Sequence, residues 1–510
     1  MKIILGFMTR FFVLFFALAL LCPYQISGQN CRSQENREVM VISLEEVIDM
    51  ARSNSLSSLM AEYSFVASYW QYRSYKAQFL PSLNFGASIA NYKRTIVPLQ
   101  DALTGNTNYV QMDNMNNALI IFVDQAIPWT GGKVSLTTSL GRFDQFSPVR
   151  NVNYNTTPVA LSLSQPLFAY NSLKWQKLIE PQKYEKAKKV YLEDLETTSL
   201  SALRLFFALL ISQNTLDLAL SKLENTKVLY EIASERFKIG AYTKDQLLQM
   251  ELQLLNAELA INKCRISLEK DMLALKSYLG IADEVIVKLL VPSYNPDLSV
   301  DIYDAVERAL LNTSFSLEND INVITAKSQV AQAKANRGYS AVLSANFGLT
   351  QSAGNISDGY RNPIDQEIVG LQLSIPIVDW GLGSGQVKMA QSRLEIAQTQ
   401  VEQNILDKQQ EVIIEVMQFN AQQDQCRVAL RANEIADERY DMAMQRFKNG
   451  TISISDINIS QSEKDDASAN YTMELFNYWL YYYTLRRSTL YDYMTEMDLD
   501  ADFDKLVDSK

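Results

Sequence analysis

The chain has 510 residues, more than one compact domain usually holds. Its 47 Lys and Arg face 58 Asp and Glu, a formal charge of -11, which argues against a nucleic-acid partner because phosphate attraction needs concentrated positive charge. With no histidine at all, His-based triads, His metal ligands and a histidine pH switch are excluded, and no cofactor or metal site is expected.

Residues 1–28 read as a cleaved secretory signal. Lys2 and Arg10 precede an apolar run from Phe11 to Cys22, and small or polar residues follow through Ser27 and Gln29. A membrane anchor is the competing reading of the same stretch. A lipid anchor at Cys22 is disfavoured because Leu21 fills a position that calls for a small residue. Cys31, Cys264 and Cys426 remain after cleavage; their wide spacing offers no metal or redox unit, and the odd count prevents full intrachain pairing. No charge-free apolar run of about 18 residues follows, which disfavours a helical membrane span but leaves a membrane β-barrel open.

Residues 43–79 are helical in pattern, with a break near Asn54, and SLNFGASIANY then alternates as a strand. ALIIFVDQAIP (118–128), KVSLTTSLGRF (133–143) and LSLSQPLFAY (161–170) add further strand candidates. A very long helix is predicted from Asn171 to about Phe237, interrupted at most by Pro181, and another from 245 to 280. The order then recurs: helix over 301–338, strands over 341–352 and 369–378, a long helix from about Ser384 to Phe447, and a last helix from about Asp456 to Tyr491. Residues 492–510 are acidic and read as a loose tail.

The recurrence is a duplication. LSLSQP at 161–166 aligns with LQLSIP at 371–376, and ERFKIG at 235–240 with QRFKNG at 445–450, both at an offset of 210. Asn84-Phe85-Gly86 pairs with Asn346-Phe347-Gly348 at an offset of 262, so the first copy carries 52 extra residues before its proline. The first repeat therefore spans 43–280, with an enlarged strand region at 82–166, and the second spans 301–491.

Helices of about 65 residues would reach roughly 100 Å. In the second, Val401, Ile405, Val412, Val416 and Phe419 form a narrow stripe between polar runs such as DKQQE, the pattern of a coiled coil. The strands carry one apolar face each, as in Leu371, Leu373 and Ile375 against Gln372 and Ser374. A soluble sheet and a membrane barrel fit this alternation equally, but a closed membrane barrel needs at least about eight strands, so several chains would have to pool theirs.

With duplicated strand–proline–long-helix junctions and Arg-Phe-Lys-x-Gly before the next helix, the chain resembles the TolC family of outer-membrane efflux proteins over roughly 43–491. The resemblance implies a mainly α fold with membrane β-strands: a homotrimeric α/β-barrel tunnel in which each subunit gives four strands to a twelve-stranded barrel in outer-membrane lipid. It also implies docking to a periplasmic adaptor (membrane fusion) protein and an inner-membrane transporter. Pro166 and Pro376 would mark strand-to-helix junctions. Arg236, Phe237, Lys238 and Gly240, with Arg446, Phe447, Lys448 and Gly450, would form adaptor-contact tips. Thr243 and Ser453 would cap the helices that follow. Asp456, six residues past the second tip glycine, and Glu463 would narrow a periplasmic aperture. The family's next acidic position is Ile459 here, and its gate-linking Tyr and Arg positions are Phe447 and Ile452.

Three functions compete at this point. The leading one is a passive exit duct, consistent with the lack of a phosphate-binding loop or any acid/base pair. The others are a non-conducting coiled-coil structural or adhesion protein and a soluble extended adaptor. Neither alternative needs amphipathic strands between its helix pairs.

Overall fold

A computed structural model describes residues 39–100, 105–282 and 284–508; the expected signal segment, residues 1–28, and Cys31 lie outside them. The duplication is visible as matched helix lengths. Helices α3 (Ser172–Lys238) and α8 (Leu382–Lys448) have 67 residues each, and α4 (Lys244–Leu279) and α9 (Ile454–Thr489) have 36 each. At 1.5 Å per residue the long pair spans about 100 Å and the short pair about 54 Å. Asn171 starts α3 by accepting the Lys174 N–H, and Pro181 lies inside α3 without ending it. The missing proline N–H removes one backbone bond, which packing along the rest of the helix outweighs.

Shorter helices complete the upper part: α1 (Leu44–Asn54), α2 (Leu56–Ala77), α5 (Ile302–Leu311) and α6 (Ser314–Arg337). The break near Asn54 is where Ser55 ends α1 and caps α2. The single helix expected over 301–338 is instead two. Thr313 turns its hydroxyl back to the Ala309 carbonyl and accepts the Phe315 N–H, so the chain restarts there.

Six strands form one antiparallel sheet. In order they are β2 (Ser82–Gln100), β3 (Thr107–Ile127), β4 (Gly132–Ser147), β5 (Asn151–Leu167), β7 (Ser340–Ala353) and β8 (Ile364–Ser374), with the one-turn helix α7 (Ile356–Gly359) between the last two. The ladder runs Leu83–Val123–Leu136–Leu161–Phe347 across five strands, and the adjacent row runs Ser82–Asp124–Ser135–Ser162–Asn346. Across these five strands apolar and polar residues segregate to opposite faces, as period-two alternation dictates; on β8 the two rows end at Glu367 and Ile368, and apolar residues return to the Phe347 face at Val369 and Leu371. Pro158 falls where β5 slips register against both neighbours, a position that needs no ladder donor.

A middle layer holds the main core. The short strands β1 (Val39–Ile42) and β6 (Ile286–Leu289) pair in parallel beside Leu203, Phe206, Phe207, Val412, Val416 and Phe419, all fully buried. This stretch of α3 is long and apolar enough to cross a membrane by composition, yet most of it is buried in this core. Arg486 pairs with Glu196 (3.4 Å) and Asp492 (3.0 Å), while Arg52 pairs with the same Glu196 and bonds Ser199.

The expected loose tail is docked. Strands β9 (Tyr491–Asp492) and β10 (Met497–Asp498) form a small hairpin, and Leu499 N–H bonds the Leu490 carbonyl. Helix α10 (Phe503–Asp508) then sets the Phe503 ring 5.2 Å from Phe65. The tail's few apolar residues sit where they meet Phe65 and Tyr191, which its acidic composition masks.

Candidate conduit surfaces

The two Arg-Phe-Lys-x-Gly segments end the long helices by the same geometry. Gly240 and Gly450 each have φ of 77°, a left-handed conformation that glycine adopts without steric penalty. Ala241 N–H reaches the Arg236 carbonyl at 2.8 Å, and Thr451 N–H reaches the Arg446 carbonyl at 2.9 Å, closing the last turn. The next helices begin with reciprocal caps: Thr243 with Gln246, and Ser453 with Asp456. The caps were legible; their reciprocal partners were missed, although both stand three residues on.

The side chains of the two tips diverge. Phe237 is 39% exposed beside the more exposed Ile239, whereas Phe447 is fully buried against Leu229, Ala233, Met250 and Ile457. Phe447 is thus a packing residue of the hairpin in this chain, not a surface one. Arg236 closes over it. Its guanidinium donates to the Phe447 carbonyl at 3.2 Å and to the Tyr242 hydroxyl at 2.9 Å, and lies 5.3 Å from the Phe447 ring centre. Arg446 and Lys448 face solvent, and Lys238 pairs with Glu235 at the surface. One pentapeptide therefore does opposite work in its two copies.

Asp456 is exposed in the first turn of α9. Its carboxylate accepts the Ser453 hydroxyl at 2.7 Å and the Ser453 N–H at 2.9 Å, and these bonds hold it below the ordinary carboxylate range. It therefore stays charged at neutral pH, whereas Gln246, its counterpart at the first tip, makes the same cap without charge. Glu463 is engaged elsewhere. Arg439 of α8 lies 2.7 Å from it, so its charge is met by the neighbouring helix.

At the strand junctions, Pro166 is still paired opposite Val342, one residue before β5 ends. Pro376 lies beyond β8, in the connection to α8 whose Asp379 accepts the Gly381 and Gly383 N–H groups. Near these junctions the aromatic residues Trp129, Phe168, Tyr339 and Trp380 are all exposed.

The helices pack in series, with α4 and α8 at the two ends. α3 packs on α4 and α9, and α9 packs on α8. On α4, Leu248, Leu252, Leu255, Leu259, Ile266 and Leu273 recur at spacings of 4, 3, 4, 7 and 7, each 52–69% exposed. On α8, Ile414, Met417, Val428, Ile435 and Met442 keep the same heptad spacing over the same axial range, and each is also exposed. These are coiled-coil seams without a partner among the described residues. Cys426 is buried in the core, where burial pushes its thiol up to about 11.

A family model described as "Outer membrane efflux protein" matches residues 128–281 and 308–475. No curated protein sequence matches the chain. Among solved structures, a membrane protein from Pseudomonas aeruginosa is similar at 15% identity and TM-score 0.63, covering 88% of this chain and 90% of that one. The Campylobacter jejuni CmeC outer membrane channel is similar at 15% identity and TM-score 0.63, covering 91% and 88%. The Vibrio cholerae outer membrane protein VceC is similar at 14% identity and TM-score 0.61, covering 90% and 97%.

Proposed function

The chain belongs to the outer membrane efflux protein family, and on that premise we propose that it is the passive exit duct of a tripartite efflux or secretion system, assembled from three copies. It lies in the outer membrane with its helices in the periplasm. The observation that carries the assembly is the pair of unpartnered heptad seams on α4 and α8. α4 and α8 lie at the two ends of the contact series α4–α3–α9–α8, with their seams at the same height, so α8 of one copy would fit α4 of the next and three copies would close into a tunnel. An adhesion scaffold has no use for a sheet with an exposed apolar face.

The tips would meet a periplasmic adaptor, which in turn engages an inner-membrane pump. With Phe447 buried and Arg236 bound to it, the available surface is Phe237, Ile239, Arg446 and Lys448. Exchanging Arg446 and Lys448 for Glu is expected to reduce cysteine crosslinking to the adaptor while trimers persist; unchanged crosslinking would count against this surface.

Three copies of Asp456 would form an acidic ring at the periplasmic end, raising local cation concentration. In planar bilayers the purified protein is expected to show discrete conductance steps blocked by multivalent cations, and Asp456→Asn to weaken that block. A protein that never conducts would sink the duct; a variant blocked like the wild type would remove Asp456 from the aperture.

A further inference from the structure

We propose that three copies close an eighteen-stranded barrel, six strands from each, by pairing the β2 edge of one copy with the β8 edge of the next. This rests on the exit-duct reading and departs from the twelve strands that the family resemblance implied.

The two additional strands are integral to the sheet. β3 and β4 pair from Ile127–Gly132 up to Asp113–Ser147, a ladder intermediate in length between those on either side. Their turn at the sheet's base is locked to the helical layer. Asn171 donates from Nδ2 to the Pro128 carbonyl at 2.8 Å while its Oδ1 caps α3. Gln165 donates to the Thr130 carbonyl at 3.1 Å, and Gln125 to the Phe79 carbonyl at 2.9 Å. Gly131 turns there with φ of 75°, and a Cβ at that position would lie 3.2 Å from the Asn171 side chain.

The hairpin also carries the two membrane signatures of its neighbours. Leu83, Val123 and Leu136 continue the apolar row of Leu161 and Phe347, and Trp129 on its turn is exposed like Phe168, Tyr339 and Trp380 at the other junctions. Apolar bands bounded by aromatic residues are what lipid-facing barrel walls require. A hairpin lying outside the barrel would have no reason to keep both.

The free edges belong to strands carried by different helices: β8 leads into α8, and β2 rises from α2, which packs on α3. The two unpaired strands thus lie at opposite ends of the sheet, β8 joined to α8 and β2 to α2. β2 ascends and β8 descends, so neighbouring copies pair antiparallel. Closure removes two long edges exposing Leu83, Phe85, Val369 and Leu371, which would otherwise invite aggregation. Because barrel diameter grows roughly linearly with strand number, the mouth is about 1.5 times as wide as a twelve-stranded one.

The test uses the full chain with Cys31, Cys264 and Cys426 replaced by alanine, oxidised in native outer membranes. Leu83→Cys is combined in turn with Val369→Cys, Leu371→Cys or Leu373→Cys, so that differing strand registers are sampled. Leu136→Cys with the same three β8 positions probes closure that leaves out β2 and β3. Leu255→Cys with Ile435→Cys reports the helical seam alone. Covalent ladders ending at three subunits are expected from a β2–β8 pair and from the seam pair. Seam ladders accompanied by β4–β8 ladders, or by no strand ladder, would overturn the eighteen-stranded barrel while keeping the trimer. Loss of the seam ladder as well would overturn both the barrel and the duct. Counting strands in images of the trimer in lipid discs gives a second readout: eighteen supports the proposal, and twelve overturns it.

Discussion

Replacing Arg486 by alanine is expected to cost the subunit about 3–5 kcal/mol, the range found when one partner of a buried ion pair is removed. The Arg486 side chain is 10% exposed and lies between Glu196, 3% exposed, and Asp492, 14% exposed. Arg52 still reaches Glu196 from α1, but nothing replaces the charge facing Asp492. Burial pushes Glu196 above its ordinary range despite both arginines. Burial also acts to raise Asp492, but the Tyr482 hydroxyl and Arg486 outweigh it and hold that carboxyl low.

The two shifts fix the sign of the pH dependence. A depressed carboxyl contributes stability that is present above its unfolded pKa and is lost as pH falls through its folded pKa. Without Arg486, Asp492 has less of that contribution to lose. Glu196, already raised, is relieved by protonation, and more so in the variant. The gap between wild type and Arg486→Ala should therefore narrow on acidification. Denaturant titrations of the helical signal at neutral and acidic pH measure both effects. A neutral-pH loss below about 1 kcal/mol, the size of a surface pair, would show that the network does not hold the middle layer together. Combining Arg486→Met with Asp492→Asn should recover part of the loss, because Arg52 still pairs with Glu196 and no carboxylate is left facing the missing guanidinium.

Much of this architecture was legible because duplication multiplies weak signals. The 210-residue offset came from a few identities, and it holds to the residue in the paired helices α3/α8 and α4/α9. The strands were visible where alternation is clean, as in LQLS, but not at their upper ends. β2 and β3 extend to Gln100 and back from Thr107 through segments such as MDNMNN, where polar residues occupy both faces and erase the period. That all six strands share one sheet depends on long-range pairing between β5 and β7, which no local pattern encodes.

The tips show a different limit. Identical residues predict identical local geometry, and the caps and glycines obey this. Whether a phenylalanine is buried depends on what lies across from it. Phe447 meets α3 and α4 side chains, while Phe237 looks outward from the flank. Docking of the tail was missed for the same reason, since Phe503 finds its partners more than 300 residues away in sequence. The seam on α4 stayed hidden because a second apolar set, Met250, Ala257 and Ile261, faces the subunit core. Taken together, the two sets make the helix look broadly apolar, and the heptad emerges only after the buried face is subtracted.

That separation of faces makes the second large effect testable. The double variant Leu252→Glu, Leu259→Glu is expected to abolish the trimer while leaving the subunit folded. Both side chains are about 60% exposed in the single chain, at 59% and 60%, so the carboxylates remain solvated in the monomer. In the assembly they would be buried against Val428, Ile435 and Met442 of the next copy without a cationic partner. Desolvating an unpaired carboxylate costs several kcal/mol, and three equivalent interfaces would each carry two. Light scattering of the detergent-solubilised protein should show the mass falling from three subunits to one, with the helical signal retained and conductance lost. Ala257→Glu provides the contrast: it puts the charge on the buried face of α4, so the subunit itself should lose helical signal. Trimers that survive the seam double variant would mean that α4 faces solvent in the assembly, and the flank carrying the subunit contacts would have to be sought elsewhere.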